Sequence, residues 1–405
     1  MKRILLFCLL CLLWLCIFSS ATSSHIVQQK SFPQEHRLTS ERFPLTREPL
    51  HMELKEDFLI ICTRNALQIH SASDYSFVQA IGDEMQQPDA MLQILRSSSP
   101  FLYTMDVNRK NEMRKYRLNS SGHSVLLQSG FTGVTSSMNR PYILRDSLIV
   151  YDEFFPEASI KIHNLYTNKL ARTLPYGATS LNDRFFDKNM GGLYANDSCI
   201  VFAYKYQNRI DFYDWQLNLR RSVNRQHSNP IINQQNRINN ILYYGHSFMG
   251  QNYFYTLFRG VSHKVFRTDS LLNRSGRSYI YGLTRDILEV YDMDGLLVCR
   301  FHFDDIAPAI FVVDEKRNRL LGYREVYPDS LLVYQLKGLP KNGKELRESV
   351  QPVSFSLPVI LEPNTIEETT YFTTIEGRRD IAPTYFIRYG SIFVIVTEAS
   401  GIQSR

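Results

Sequence analysis

A local pattern that returns at a regular spacing constrains this chain more than any other feature. A strand-like run ends in a tyrosine or histidine, a turn follows, and another strand-like run comes after the turn. The instances are LQIHSAS, MRKYRLN, IKIHNLY, IDFYDWQ, LEVYDMD and LLVYQLK, with matching positions at His70, Tyr116, His163, Tyr213, Tyr291 and Tyr334. The spacings are 46, 47, 50, 78 and 43 residues. A period of about 40–45 residues with four strands per repeat is typical of β-propeller blades.

Further strand-like runs flank each instance, and they complete the repeat. Each instance is preceded by a more apolar run, namely FLIICT, FLYTMDV, SLIVYDE, CIVFAYK, YFYTLFR or RLLGYRE. Most are followed by another run: FVQAIG, SVLLQSG, LARTLPYG, LNLRRSV or LLVCRFHF. Inner-strand candidates are RPYILRD, NNILYYGHS and AIFVVDE. The pattern predicts an all-β fold, a six-bladed β-propeller of four-stranded antiparallel blades over residues 55–339.

The N-terminus has the composition of a secretory signal, predicted over residues 1–21. Lys2 and Arg3 precede an uninterrupted apolar run from Ile4 to Phe18, and small residues follow. A membrane anchor is the alternative, but the run is shorter than the roughly 20 residues that a span needs. Lipid attachment at Cys16 is a third possibility. A lipobox has small residues just before its cysteine, whereas Trp14 and Leu15 precede Cys16 here. We therefore expect an exported protein in the periplasm, cell envelope or extracellular space.

The regions before and after the repeats do not have the repeat pattern. Residues 22–54 read as a polar lead-in, and residues 340–405 as a C-terminal extension with four strand-like runs and several prolines. A propeller closes when one terminus completes the blade that the other began, which removes an open sheet edge. We expect the C-terminal extension partly to complete the last blade, with the lead-in as the alternative.

The cysteines and the charge exclude several classes of protein. Outside the signal, Cys62, Cys199 and Cys299 remain, an odd number inside apolar runs, which predicts buried thiols rather than a disulfide framework. The formal net charge of +6 is small and dispersed, so no nucleic-acid partner is expected.

No motif for known catalytic chemistry occurs in the sequence. Walker A, GxGxxG, GxSxG and HExxH are absent, and the sequence predicts no catalytic residue, no metal site and no cofactor. Paired carboxylates occur at Asp211/Asp214, Asp292/Asp294 and Asp304/Asp305. Such pairs can bind Ca²⁺, but at strand ends aspartate more often closes a turn, and we expect turns here.

One repeat carries two insertions, which explain the long spacing of 78 residues. Asn224–Asn240 is polar and rich in Asn and Gln, and Arg259–Arg285 is a second long stretch without repeat features. Long insertions confined to one blade are common binding elements, although a solvated loop without a role is the alternative. The candidate binding residues beside them are Tyr243, His246 and Asn239.

The run YFYTLFRG, followed by ILEVYDMDGLLVCRFHFDD, IFVVDEKRNRLLGY and DSLLVYQL, resembles the C-terminal blades of the TolB-like six-bladed propellers. These are exported proteins abundant in Bacteroidetes, mostly of undetermined function. The turn after the first blade reads IGDEMQQPDAM and lacks the glycine-rich pattern common in the family. The resemblance implies the fold and the compartment, and it carries over no catalytic residue.

These features lead to a functional hypothesis with two alternatives. The leading hypothesis is a monomeric, non-catalytic propeller that binds a protein, peptide or glycan on one face. The first alternative is a metal-dependent, lactonase-like hydrolase using the central channel, with Asp146, Asn239, His246 and Asp314 near the ends of inner-strand candidates. The second is a structural component associated with the envelope. Because one fold can carry many functions, the choice among these hypotheses depends on the residues of the functional site.

Overall fold

The structure is a computed structural model in which the chain divides into two compact units. The larger unit is Pro33–Pro352, and the smaller combines Met1–Phe32 with Val353–Arg405. The residues described are 34–63, 66–82, 92–106, 112–131, 139–153, 157–167, 169–177, 188–225, 232, 240–262, 286–304, 307–339, 366–367, 384–389, 392–397 and 401–404. The predicted signal, including Cys16, lies outside these residues.

The larger unit begins with two strands from the lead-in and continues with strands in groups of four. The lead-in strands are β1 (Gln34–Leu38) and β2 (Ser40–Pro44). The first group is β3 (His51–Lys55), β4 (Phe58–Cys62), β5 (Leu67–Ser71) and β6 (Phe77–Ile81). The second is β7 (Leu92–Ser97), β8 (Leu102–Asp106), β9 (Glu112–Leu118) and β10 (Ser124–Phe131). The third is β11 (Asn139–Leu144), β12 (Leu148–Glu153), β13 (Ala158–Asn164) and β14 (Leu170–Gly177).

The remaining groups follow the same order. The fourth is β15 (Gly191–Ala195), β16 (Ile200–Tyr204), β17 (Arg209–Tyr213) and β18 (Leu219–Asn224). The fifth is β19 (Ile241–Met249), β20 (Tyr253–Ser262), β21 (Ile287–Asp292) and β22 (Leu297–Phe303). The sixth has β23 (Ile310–Asp314), β24 (Arg319–Tyr323) and β25 (Ser330–Gln335). The first group therefore starts at His51, four residues before the predicted boundary at Lys55.

The positions that define the sequence repeat are equivalent in the structure. His70, Tyr116, His163, Tyr213, Tyr291 and Tyr334 all lie on the third strand of their group. The apolar runs before them form the second strands, and β4, β8, β16 and β24 are buried along their whole length. These strands lie between two neighbouring sheets, which explains why their sequences are continuously apolar rather than alternating.

Side chains of Asn and Asp close the turns that follow the third strands. Asp292 accepts hydrogen bonds from the backbone N–H groups of Asp294 (3.0 Å) and Leu296 (2.8 Å). Gly295 in that turn has φ +75°, a conformation that glycine adopts without strain. Asn119 holds its turn in the same way. Local hydrogen bonding of this kind makes the repeat recognisable in the sequence.

Strand pairing within each group is antiparallel, and the whole is a propeller-like arrangement of four-stranded sheets. Three groups depart from the prediction of separate four-stranded blades. The second and third form one eight-stranded sheet, because the inner strands β7 and β11 pair in parallel at Tyr142↔Arg96 and Ile143↔Ser97. The fifth has five strands, because β1 pairs in parallel with β22.

The innermost strands connect the groups in a cycle. Each of β3, β7, β11, β15, β19 and β23 contacts the innermost strand of the next group, and β23 contacts β3. The hydrophobic core lies between neighbouring sheets, with large buried side chains such as Tyr194, Tyr255 and Tyr334.

The sixth group takes its outer strand from the lead-in and not from the C-terminal extension. β2 pairs antiparallel with β25 from Ser40↔Tyr334 to Pro44↔Ser330. The order β2-β25-β24-β23 thus completes four strands. The expectation that residues 340–405 complete this sheet was wrong for its outer strand, because a polar segment with few strand features, SERFP, occupies the edge.

Strand direction gives each group two distinct ends. Turns between first and second strands and between third and fourth strands lie at one end, which we call the hairpin end. The remaining connections lie at the other, which we call the loop end. Polar contacts join the hairpin ends of successive groups around the cycle: Lys55 Nζ to Ser99 O (3.2 Å), Tyr103 OH to Asp146 Oδ1 (2.8 Å), Arg145 N to Asp197 Oδ1 (2.7 Å), Asn196 Nδ2 to Gly250 O (2.8 Å), Asn252 N to Glu315 Oε2 (3.0 Å) and Lys316 Nζ to Asp57 Oδ1 (2.8 Å).

The cysteine prediction is confirmed. Cys62, Cys199 and Cys299 are free and buried, and burial raises the pKa of each thiol to about 12. Such thiols carry almost no thiolate at neutral pH and are expected to be inert.

The acidic pairs are only partly explained by turns. Asp214 and Asp292 close turns as predicted. Asp211 does not, since it lies within β17, is fully buried and accepts hydrogen bonds from Arg209 (2.8 Å) and Ser222 (2.7 Å). Asp305 lies outside the described residues.

The smaller unit contains a four-stranded antiparallel sheet. Its strands are β26 (Ile366–Glu367), β27 (Thr384–Tyr389), β28 (Ile392–Thr397) and β29 (Gly401–Ser404). Two predicted runs of the C-terminal extension, TYFIRYG and SIFVIVTE, form β27 and β28. The runs VSFSLPVIL and TYFTTI lie outside the described residues. Among the residues that the structure describes, no helix has the length and apolar character that crossing a membrane requires.

Candidate functional site

The sequence-predicted binding residues lie on the inner strand of the fifth group. Tyr243 and His246 are both on β19 and half-buried, while Asn239 lies outside the described residues. The Tyr243 ring lies 6.4 Å from the Phe258 ring on the next strand. His246 Nε2 donates to the Phe311 carbonyl oxygen (3.2 Å) on the inner strand of the sixth group. The side chains of Tyr243 and His246 therefore contact different neighbours. The hydrogen bond of His246 joins the sheets of the fifth and sixth groups.

Both predicted insertions leave the fifth group at its loop end. Ile241, the first residue of β19, pairs with Ser262, the last residue of β20. Phe258, on the same strand, pairs with Ile287, the first residue of β21. The segment before β19 and the segment between β20 and β21 therefore emerge side by side from adjacent strands. Although Ile241 and Ser262 are 21 residues apart in sequence, the two stems share one end of one sheet.

Both insertions are shorter in the structure than the sequence predicts, because ordered residues extend into their predicted ends. β18 extends to Asn224, and Arg225 donates its backbone N–H to the Asn208 carbonyl oxygen (3.0 Å). Asn240 is buried, and β20 extends to Ser262. The segments without described structure are thus residues 226–239 (apart from Ile232) and 263–285.

A buried ion network anchors these stems. Glu289 on β21 is fully buried and accepts hydrogen bonds from Arg225 Nη1 (2.9 Å), Arg300 Nη2 (2.8 Å) and Tyr291 OH (2.6 Å). Arg225 Nη2 also donates to Tyr291 OH (2.8 Å). Burial alone would raise the pKa of Glu289, but the two guanidinium groups hold it below its ordinary value. The network fixes Arg225, at the end of the fourth group, against Glu289 and Arg300 of the fifth group. The strand ends next to the insertions are therefore held rigidly.

A second charged cluster lies on the innermost strands. We call Glu53, Lys55, Arg96, Tyr142 and Phe248 the inner-strand cluster. Arg96 on β7 contacts three other inner strands: its Nε lies 3.6 Å from Glu53 Oε2 on β3, its Nη1 donates to Tyr142 OH (3.4 Å) on β11, and its Cζ lies 5.9 Å from the Phe248 ring on β19. Lys55 Nζ lies 3.7 Å from Glu53 Oε1.

The charge of the inner-strand cluster bears on which ligands it could take. Burial raises the pKa of Glu53 and lowers that of Lys55, so burial favours the neutral form of each. The guanidinium of Arg96 keeps its charge. A metal cation would therefore meet a fixed positive charge, whereas lactonase-like chemistry needs several oxygen ligands at this place.

The residues considered for a channel metal are engaged elsewhere. Asp146 lies in the β11–β12 turn and accepts from Tyr103 OH (2.8 Å). Asp314 binds Arg317 (3.0 Å) and Arg319 (3.2 Å). Within the described part of the chain, no cluster of three or more His, Cys, Asp or Glu side chains is placed to hold a metal ion.

Sequence reasoning missed the inner-strand cluster because it placed Glu53 in the lead-in. A usable signal was present in HMELK, in which charged residues alternate with apolar ones immediately before the apolar run FLIIC. Alternation of this kind is the pattern of a strand with one polar face. Arg96, at the end of LQILRS, was not assigned to any strand.

Comparison with known proteins gives distant likenesses of fold. No protein-family model matches the chain, and no curated protein matches it. A member of the DUF4221 family from Bacteroides vulgatus aligns over 74% of this chain and 97% of its own, with 13% identity and a TM-score of 0.47. A protein from Bacteroides fragilis inferred to be exported aligns over 74% and 98%, with 8% identity and a TM-score of 0.45.

The third comparison is with a much longer protein. Raptor from Chaetomium thermophilum aligns over 74% of this chain and 29% of its own, with 12% identity and a TM-score of 0.41. The chain thus spans less than a third of that relative's length. At these identities and TM-scores, none of the three likenesses bears on activity or partners.

Proposed function

We propose that this protein is an exported, monomeric, non-catalytic six-bladed propeller of the TolB-like type that binds a protein, peptide or glycan at the loop end of its fifth blade. The six groups of strands are the blades, and the cycle of inner-strand contacts supports this count. The seam of the ring lies between the sixth and first groups, where Arg319 Nη1 donates to Tyr75 OH (2.7 Å). The apolar N-terminal run supports export.

The observation that carries the proposal is the shared origin of the two insertions. A loop that serves only to connect strands has no reason to exceed a few residues. Here two long segments start from register partners, Ile241 and Ser262, above a buried ion network that costs desolvation to form. Rigid scaffolds with variable loops at one end are the usual way in which propellers and other β-folds present a binding surface.

The test measures binding before and after each insertion is replaced. The mature chain, residues 22–405, is applied to a glycan array and to a random-peptide display library, and any ligand found is titrated. Residues 226–239 and 263–285 are then replaced separately by short Gly-Ser linkers, leaving Arg225, Asn240 and Asp286 in place. We expect at least one replacement to weaken binding about tenfold or more, equivalent to 1.4 kcal/mol.

The control is the equivalent replacement of residues 178–187, which connect β14 to β15 in the sequence. It should leave the affinity unchanged, and all variants should keep the thermal melt of the parent. If both insertion variants retain full affinity with unchanged melts, the placement is wrong. If the mature chain instead hydrolyses lactones in a reaction that a chelator abolishes, the lactonase-like reading replaces the platform.

A further inference from the structure

The hairpin end of the third group carries two arginine side chains that converge on one indole. Arg145 lies in the β11–β12 turn, and its Cζ is 4.7 Å from the centroid of the Trp215 ring. Arg172 lies on β14, and its Cζ is 5.7 Å from the same centroid. Both arginines are exposed, and Trp215, in the β17–β18 turn, is half-buried.

Neither guanidinium is neutralised within the described part of the chain. The only polar bond of Arg145 in that part of the chain runs from its backbone N–H to Asp197, and the side chain of Arg172 contacts the indole. Two like charges over one ring repel each other, so the arrangement stabilises the protein less than two separate pairs with carboxylates would. Stacking on the indole orients each guanidinium while leaving its N–H donors available. Donors held in this way suit the oxygens of a carboxylate or sulfate.

A small cavity lies on the other side of the third group, where that group faces the second. Its volume is about 60 Å³, and its lining includes Tyr103, Lys115, Gln128, Asp146 and Tyr166. Asp146 follows Arg145 directly in the chain, and both have a left-handed backbone, with φ of +55° and +51°. A cavity of this size is large enough for a substituent such as a hydroxymethyl or acetyl group.

The wall of the cavity combines acceptors, donors and an exposed ring. Tyr166 OH donates to the Asp146 carbonyl oxygen (2.9 Å), which fixes a ring that is 65% exposed. Lys115 Nζ lies 4.0 Å from Asp146 Oδ2 and 3.9 Å from the Phe101 ring. Hydroxyl groups both donate and accept, and they match such a mixed lining better than the carboxylates of an acidic peptide, which would face Asp146.

We propose that this surface, formed by Arg145, Arg172, Trp215, Tyr166 and the cavity beside Asp146, binds an acidic polysaccharide. The two arginines take a carboxylate or sulfate group, the exposed face of Tyr166 takes a sugar ring, and the cavity takes a ring substituent. The surface lies at the hairpin end, opposite the insertions, so it goes beyond the proposed function and does not depend on it.

The experiment titrates the mature chain with four polymers: polygalacturonate, heparin, neutral dextran and poly-glutamate. Binding to polygalacturonate or heparin is expected, weakening as salt rises because exposed charges are screened. The relative strength of the two tells whether carboxylate or sulfate is preferred. Dextran should not bind, and poly-glutamate should bind at least about tenfold more weakly than the better polysaccharide.

Variants then assign the site. The double variant R145Q/R172Q should weaken polysaccharide binding at least tenfold, and Tyr166→Ala should weaken it severalfold. The control R37Q/K337Q removes two exposed charges in other groups and should leave the affinity unchanged.

If the control lost as much affinity as R145Q/R172Q, the binding would be general attraction between opposite charges, and the proposal would be overturned. Poly-glutamate binding as strong as the polysaccharide's and unaffected by Tyr166→Ala would assign the surface to an acidic peptide instead. All variants are checked by thermal melt, and the insertion variants above should bind these polymers normally.

Discussion

Removal of residues 22–45 is expected to abolish cooperative folding of the larger unit, and a synthetic peptide of residues 33–46 is expected to restore it when added in trans. β2 pairs with β25 from Ser330 to Tyr334, and without it the apolar residues Leu331, Leu332 and Val333 lie on an open edge. The same segment contributes buried Leu38 and Leu45. Each fully buried leucine is worth about 1.5–3 kcal/mol, against a total stability of about 5–15 kcal/mol for a domain.

Ring contacts of β2 add to this loss. Across the seam, the Phe43 ring lies 4.5 Å from the Tyr75 ring of the first group. Within the sixth group, Arg42 Cζ lies 3.7 Å from the Tyr327 ring in the β24–β25 turn. The loss of β2 therefore opens the join between the sixth and first groups as well as one sheet edge, and open edges promote aggregation. Urea unfolding followed by circular dichroism measures the effect. Removal of residues 22–32 alone, which keeps β1 and β2, is the matched control and should leave the transition of the larger unit unchanged.

Two outcomes would contradict this account of closure. One is a truncated protein that unfolds at the same urea concentration as the parent. The other is a destabilised protein that the peptide fails to rescue even at high concentration, which would mean that the segment acts in some way other than as a strand. A peptide with Phe43 and Leu45 both changed to serine should not rescue.

Glu289→Gln is expected to destabilise the protein by about 3 kcal/mol or more, which is the usual effect of removing one partner from a buried ion pair. Glu289 is fully buried and joins two arginines, whose side chains are 25% and 17% exposed. Without the carboxylate, Arg225 and Arg300 are left partly buried beside each other with no compensating charge. Their residual exposure places the effect toward the lower part of the range for buried pairs.

Asp57→Asn is the matched control for Glu289→Gln. Asp57 also joins two cations, Lys316 and Arg317, but its side chain is 51% exposed. Exposed pairs contribute about 0–1 kcal/mol. Comparable losses in the two variants would show that burial does not set the strength of the network.

The pH dependence follows from the depressed pKa of Glu289. A carboxyl group with a folded pKa below its unfolded value stabilises the protein above the unfolded value, ordinarily 4.5. That contribution is lost as the pH falls through the folded pKa. The difference in unfolding free energy between parent and Glu289→Gln should therefore be constant near neutral pH and shrink below about pH 4.5. A difference that grows on acidification would contradict the assignment.

The repeating part of the fold was predictable because its signals are local. The aromatic or histidine near the end of the third strand and the Asn or Asp of the following turn recur in nearly every group. Hydrogen bonds from nearby backbone N–H groups explain the Asn or Asp. The run ILEVYD in the sequence is β21, and β24 covers the first five residues of the predicted run RLLGYRE. The loop end of the fifth group was also predictable, since the long spacing of 78 residues shows where the insertions lie.

The missed features all depend on contacts between residues far apart in sequence. The pairing of β2 with β25 joins residues about 290 positions apart. The sequence of β2, SERFP, lacks the alternation of apolar and polar residues that would predict a strand. Glu53 and Arg96 meet only because β3 and β7 are neighbours in the cycle. Asp211 and Glu289 look like ordinary strand residues until the arginines that surround them are placed.

The most direct test of the platform is hydrogen–deuterium exchange of the mature protein with and without the ligand found by array or display. We expect protection in peptides that cover residues 226–262 and 263–290, which contain the two insertions and the strand ends of the fifth group from which they start. We expect little change in peptides that contain Glu53, Arg96 or Tyr142. Protection confined to those inner-strand peptides, with the insertions unaffected, would contradict the proposal and place the function in the centre of the ring.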